Sequence, residues 1–364
     1  MLPYGLLAQS YYKLWSQTVT LSRMTDHRPR PPRRGPTALL RNRSVQLAAL
    51  GWLGCNAVVL AIAGDTLPFD WLAAATQTPA SRLLDANLAL AEVLLLTALT
   101  LWLTRKRALP NLADRAPERS VAARETLLLL LYGAGALGLG FLLGRLAGWH
   151  PFGLHLAGSI YGTHEHVSPA ESIAWAAYNL LIYAVIPLLF FRRRYSAEAL
   201  NLRSSNRRAD IVLIGAVLLI ESLVQVAALA PRIFELAPGQ FALGVPLTFT
   251  LYLAGAVLPA MIFIYAILVP RFLRLTGSPA TTVILGGLTY TALHIWDAWT
   301  VFTSPGNTAL SIVFLLLTYF APGMFKTVLT LRTGNAWVHV WGYHALVPHT
   351  LIDAPHMVHV FHLK

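Results

Sequence analysis

Four ionisable residues, Glu221, His294, Asp297 and His344, lie within long apolar stretches of this sequence. Ionisable groups in such stretches are costly to bury and usually have a function. A carboxylate beside an imidazole can fix its tautomer, and both groups can bind a metal ion or activate water. The set therefore predicts a polar site with Glu or Asp as the base and His as metal ligand or oxyanion stabiliser. The alternative is that each group pairs with a neighbouring helix and serves only packing.

The apolar stretches have the length of membrane-spanning helices. Hydrophobic residues make up 56% of the 364 residues and charged residues only 12%, against about 25% charged in soluble domains. Crossing ~30 Å of hydrocarbon takes about 20 helical residues, and backbone groups in lipid must pair internally. An all-α membrane bundle is predicted, with spans at about 45–63, 86–104, 126–147, 174–191, 211–230, 245–270, 281–303, 308–328 and 335–352.

The distribution of basic residues predicts the orientation of these spans. With nine crossings, 24 of the 28 Lys and Arg residues fall on the side of the N-terminus. The positive-inside rule then places the N-terminus in the cytoplasm and the C-terminus outside, in the cell (cytoplasmic or inner) membrane. No nucleic-acid-binding motif accompanies the net charge of +12, so the expected partner is the lipid bilayer and nucleic acid is excluded.

The predicted spans also place the ionisable residues in depth. At ~1.5 Å per residue, Glu221, His294 and His344 lie about 12–20 Å from the cytoplasmic ends of their helices. Half of a ~30 Å bilayer core is ~15 Å, so all three are expected near the middle of the membrane. Asp297 follows His294 by three residues, which is the spacing of one helix face.

The last third of the chain carries three segments with a family resemblance. They read LVPRF at 268–272, YTALH at 290–294 and LRTGNAW at 331–337, the last followed by His344. Over about 245–352 the chain resembles the CPBP family, the CAAX-protease and bacteriocin-processing intramembrane proteases. In that family, paired glutamates and two histidines on successive helices activate a water that attacks a peptide bond. The resemblance implies that His294 and His344 occupy the two histidine positions.

The chain departs from that family at other motif positions. Ala260 and Met261 stand where the paired glutamates are expected, Tyr265 stands for the arginine, and Pro348 for the final Asn or Asp. A histidine pair alone lacks the general base of the family mechanism. The expected function is therefore that of a non-catalytic member, a scaffold or a binder of a membrane protein, lipidated peptide or lipid. The alternative is an active intramembrane endopeptidase in which another carboxylate, Glu221 or Asp297, replaces the missing base.

Histidines also concentrate in two segments predicted to lie outside. One is the loop at 149–166 and the other is the C-terminal segment 348–364, which together hold eight of the twelve histidines. Neutral imidazoles suit zinc, copper or nickel, so a divalent metal such as zinc is a candidate cofactor and a metal-handling protein or transporter is a third hypothesis. The alternative is a pH-sensitive or interfacial surface. The candidate ligands are His164, His166, His356 and His359.

Four segments follow from these observations. Residues 1–44 are basic and proline-rich, as in RPRPPRRGP at 28–36, and are predicted to be a disordered cytoplasmic tail. Residues 45–195 hold the first four spans, and residues 196–352 hold the CPBP-like core of spans five to nine. Residues 353–364 form the histidine-rich external end.

Overall fold

The computed structural model describes residues 41–74, 77–165, 167–229 and 231–364. The predicted tail at 1–44 lies almost wholly outside the described residues. Within them the chain is helical or irregular and contains no strand, so the prediction of an all-α fold is confirmed for this part of the chain.

The helices follow the predicted spans closely. Six of those in the described residues, α1 to α4, α6 and α8 of the list below, are long and apolar enough to cross a membrane. The structure therefore indicates a multi-pass α-helical membrane protein. The helices are α1 (Arg43–Ile62), α2 (Pro79–Leu103), α3 (Arg119–Ala147), α4 (Pro169–Arg192), α5 (Arg207–Leu229), α6 (Pro238–Thr276), α7 (Pro279–Ala292), α8 (Pro305–Thr333), α9 (Trp337–His344 and Val347–Leu351) and α10 (Ala354–Val360).

Helix α6 lies at the centre and packs against α3 and α4, whereas α1 and α2 pack against α8. Inside the most apolar window of each helix, 83% of the α6 residues are buried but only 11% of those in α1. Leu47, Leu50 and Leu53 of α1 are each more than 60% exposed. Such apolar outer faces suit contact with lipid chains rather than water.

Helices α7 and α8 cross at a contact between glycines. A Cβ atom on Gly323 would lie 2.9 Å from the Cα of Gly287 and 2.7 Å from the Cβ of Tyr290. Small residues allow such close approach of helices in membranes. The crossing brings the C-terminal end of α7, where His294 follows, against Tyr319 of α8.

Helix α7 ends earlier than predicted. The predicted span 281–303 is helical only to Ala292, and residues 293–300 form successive turns with backbone bonds from Asp297 N to His294 O and from Thr300 N to Asp297 O. His294 and Asp297 therefore do not lie on one helix face, as their spacing predicted. They come together through consecutive turns instead.

Helix α9 has widened turns. Backbone bonds join Ala345 N to Val340 O and Leu351 N to Leu346 O, five residues apart. Such π-type turns are rare and frequently lie at functional sites. In a regular α-helix, residues five apart point about 140° away from each other, whereas here the rings of His344 and His349 lie 5.0 Å apart.

Candidate functional site

A polar cavity of ≈ 70 Å³ lies between α5, α8, α9 and the loop after α3. One water molecule needs about 10–15 Å³ of such space, so the cavity has room for several water molecules. Its lining combines ionisable, aromatic and proline side chains, which is unusual within an apolar bundle. The lining residues are His155, Tyr161, Glu221, Gln225, Tyr290, Thr318, Tyr319, Pro322, Lys326, Tyr343, His344, Pro348 and His349.

His294 and Asp297 adjoin this cavity through two of its lining residues, His155 and Tyr319. The carboxylate Oδ2 of Asp297 accepts a hydrogen bond from the Tyr319 hydroxyl and lies 3.1 Å from Nδ1 of His155. One ligand atom from each of His155, His294 and Asp297 falls within 4.8 Å of the other two. All three residues are at least 95% buried. His294 and Asp297 therefore lie close together, although not on the shared helix face that their spacing predicted.

The tautomer of His294 follows from its neighbour. Its Nδ1 lies 2.7 Å from the backbone carbonyl of Tyr290, and a carbonyl only accepts, so Nδ1 donates the hydrogen. Nε2 of the neutral ring is then the bare nitrogen. This atom is buried and has no hydrogen-bond partner among the described residues, and the same holds for Oδ1 of Asp297. The ring is fixed by stacking on Tyr319, with centroids 3.8 Å apart.

His344 of α9 also lines the cavity and is linked to His294 through Tyr290. The Tyr290 hydroxyl lies 3.2 Å from Nε2 of His344, while its ring packs edge-on against His294. The predicted catalytic histidines thus contact the same tyrosine. Of the two predicted bases, Asp297 groups with His294, and Glu221 shares the cavity with His344.

Glu221 enters the cavity from α5 beside a lysine. Its Oε1 accepts a hydrogen bond of 2.8 Å from Gln225. Lys326 is only 2% exposed, and its Nζ lies 3.8 Å from the ring centre of Tyr290. The count of 24 Lys and Arg residues on the cytoplasmic side takes Lys326 as part of a cytoplasmic turn. The structure corrects this, because α8 continues to Thr333 and holds Lys326 inside the bundle.

The positions of the missing motif residues are packed with apolar atoms. Ala260 and Met261 are buried in the core, and Tyr265 packs edge-on against His339 at 4.3 Å. This side of α6 therefore brings no carboxylate to the histidines, because its sequence has no acidic residue at these positions.

His155 and His349 were expected on an external face, and that expectation is wrong for both. They are 5% and 2% exposed, and their rings lie 5.0 Å apart inside the site. The loop carrying His155 can enter the bundle because its backbone finds partners: the Gly153 carbonyl accepts hydrogen bonds from Trp175 and Asn179 of α4. The polar residues of this loop do not indicate that it enters the bundle. On a regular α-helix His349 would point away from His344, so the sequence does not predict that it faces the site.

The four histidines predicted as an external metal site are placed separately. His164 is half exposed and its Nδ1 lies 2.6 Å from Asp70. His166 lies outside the described residues. His356 is partly buried and His359 is exposed on α10. Metal binding by this set stays a prediction.

His150 forms a separate acidic contact at the start of the same loop. Its Nδ1 lies 2.8 Å from Glu171, and its Nε2 contacts Glu165. The hydrogen bond with Glu171 raises the pKa of His150 to about 9, and Glu165 adds to the rise against the opposing effect of burial. Because the ring is then protonated at neutral pH, this contact is an ion pair.

Comparisons with known proteins leave the family open. No family model matches the chain, and neither a curated protein nor a solved structure matches it.

Proposed function

We propose that this membrane protein is a CPBP-like binder that lacks the standard protease glutamates and receives the anionic end of a membrane-embedded peptide in its polar cavity. Lys326 is the observation that carries the proposal. Its ammonium is buried at the cavity against the faces of Tyr290 and Tyr343, and Glu221 of the same lining is the acidic group that acts on it. Burying an ammonium is costly unless it is compensated, and a carboxylate in direct contact would add to the compensation that Glu221 provides.

The size of the cavity limits what enters. At ≈ 70 Å³ it has room for about five water-sized groups, enough for a carboxylate and its neighbouring atoms but not for a whole peptide. The rest of the ligand would remain in the bilayer beside the apolar outer helices. A lipidated peptide with a free C-terminal carboxylate has this character, and it is the class of ligand that the CPBP resemblance implies.

Binding in nanodiscs tests the proposal. A farnesylated peptide with a free carboxylate should bind at least tenfold more tightly than its methyl ester, and Lys326→Met should remove that preference. Lys106→Met, at an exposed position, is the matched control and should retain it. Equal affinity for acid and ester, or no effect of Lys326→Met, would refute the proposal. A simple fatty acid that binds as tightly as the peptide would identify the ligand as a lipid instead.

A second candidate is the intramembrane endopeptidase, favoured by the grouping of Asp297 with His294 and His155. A carboxylate within hydrogen-bonding reach of a histidine is a usual arrangement for activating water. Mass spectrometry of the same peptide after incubation distinguishes the two functions. Cleavage that disappears in both Asp297→Asn and His294→Ala would support the peptidase, and intact bound peptide would support the binder.

The proposal includes the topology predicted from charge. The chain would cross the cell membrane nine times, with the N-terminus in the cytoplasm and the C-terminus outside. Exposed basic residues between α4 and α5, including Arg193, Arg194 and Arg203, support this orientation. Alkaline phosphatase fused after Lys364 should be active and a fusion after Arg203 inactive; the reverse pattern would invert the topology.

A further inference from the structure

We propose that His155, His294 and Asp297 bind a divalent transition-metal ion inside the membrane domain. The site differs from the external histidines considered above, and it draws its ligands from the loop after α3 and the turns after α7. It does not depend on peptide binding, so metal content tests it separately from the proposed function.

The donor set suits such an ion. Two imidazoles and one carboxylate are the protein ligands of several catalytic zinc sites, and the same set binds non-haem iron(II). Their ligand atoms already fall within 4.8 Å of one another. Donors bound at ~2.0–2.2 Å around a tetrahedral zinc ion are about 3.3 Å apart, so modest side-chain rotations would complete the geometry.

Two donor atoms are already unpaired and buried. Nε2 of His294 and Oδ1 of Asp297 have no hydrogen-bond partner among the described residues. Leaving a buried acceptor unsatisfied destabilises the fold, and both atoms belong to the same group of three. A bound cation would satisfy both atoms at once.

The surrounding residues orient the ligands in the way metal sites require. His294 donates its Nδ1 hydrogen to the Tyr290 carbonyl, and Oδ2 of Asp297 is held by Tyr319. Ligating histidines almost always use their second nitrogen in this way, and ligating carboxylates are themselves hydrogen-bonded. These contacts leave the unpaired Nε2 and Oδ1 as the atoms free for the ion.

The cavity offers space for a further ligand. His155 belongs both to the cluster and to the cavity lining, and Tyr319 of the same lining contacts His155 and Asp297. Water or a polar ligand group in the cavity could therefore reach a bound ion. Three protein ligands with one position open to water characterise catalytic rather than structural zinc sites.

Metal analysis of the purified full-length protein tests the site. Protein in detergent, dialysed against Zn²⁺ and then against metal-free buffer, should retain about one ion per chain. Co²⁺ in its place should give visible d–d bands typical of a site with nitrogen and oxygen ligands. Asp297→Asn and His294→Ala should each lower retention at least tenfold, whereas His164→Ala, which removes a half-exposed histidine, should retain the ion.

The remaining outcomes are equally informative. Absence of retained ion and of Co²⁺ bands in the wild-type protein would refute the site, as would retention unchanged by Asp297→Asn. If only His164→Ala loses the ion, the external histidines and not the proposed site bind it. If His294→Ala does not fold, His155→Gln takes its place and should lower the retention of the ion. The melting temperature of the wild type should also rise with added Zn²⁺.

Discussion

Buried charged groups occupy two regions of this protein that differ in how their partners are supplied. Near the ends of α3 and α6, the carboxylate of Glu125 receives hydrogen bonds from Arg271 and from the Tyr195 hydroxyl. In and beside the central cavity, by contrast, Lys326 lies against aromatic faces with Glu221 as the acidic group that acts on it, and His294 and Asp297 each keep an unpaired atom among the described residues. Both regions are almost inaccessible to solvent.

The difference separates two uses of a costly group. A buried ion pair that is well satisfied joins helices, and removing one member leaves the other uncompensated. A buried group that is left unpaired destabilises the fold, and such groups persist mainly where a ligand or reaction uses them. On the proposed function, the first region serves assembly and the second serves binding, so substitutions in the two should have opposite consequences.

The largest effect is expected in the paired region. Arg271→Met should lower the free energy of unfolding by about 3–5 kcal/mol because the Glu125 carboxylate would stay buried without its guanidinium. Denaturant-induced unfolding in mixed micelles, followed by tryptophan fluorescence, measures this. The double variant Glu125→Leu, Arg271→Met should recover much of the loss. A double variant as unstable as the single one would mean that the pair does not act as a unit.

The helix crossing beneath the cavity gives the next largest effect. Gly323→Ala should cost about 1–3 kcal/mol, because the new Cβ would meet Tyr290 and Gly287 at less than 3 Å and overpack the contact. The same unfolding experiment applies. Gly135→Ala of α3 is the matched control, since a Cβ there has open space and gains helix propensity. Equal effects at the two positions would indicate that the crossing tolerates a wider separation.

Sequence alone predicted much of this bundle because the bilayer imposes a simple length and polarity rule. The helices α1 to α4 overlap their predicted spans, whereas His294 and Asp297 come together through turns and not on the helix face that their spacing predicted. The turns after Ala292 were missed, because the apolar composition of 293–303 is the same for helix and for packed turns.

The missing members of the site have physical reasons of their own. His155 lies in a loop that folds into the bundle, and this depends on hydrogen bonds from α4 some 20 residues away. His349 faces the cavity only because α9 adopts widened turns. Lys326 had one available signal: a lone lysine preceded by 18 largely apolar residues of one predicted span, 308–328, is more typical of a buried functional group than of a turn.

A substitution at Lys326 tests the comparison in the region of the cavity. Lys326→Met should leave the protein as stable as the wild type or more stable by about 1 kcal/mol, because replacing a buried charged group by an apolar one of similar size is often neutral or favourable. Unfolding midpoints of the two proteins, measured without ligand, test this. A loss of several kcal/mol would instead assign Lys326 to the structural region as the necessary partner of Glu221.

The smallest effect is expected at His150, whose ionic contact differs from both regions because it is partly exposed. Its pKa is about 9 in the folded protein against about 6.5 when unfolded, so the stabilisation is complete below about pH 6.5 and disappears as the pH rises through 9. Because the pair is partly exposed, the loss should be about 1 kcal/mol. Glu171→Gln should flatten the decline in melting temperature over this range, and Glu165→Gln should flatten it less, since Glu171 is the more buried carboxylate and contributes most to the raised pKa of His150. A decline that both variants retain unchanged would show that another group titrates there, and the contact at His150 would then hold the loop by packing rather than by charge.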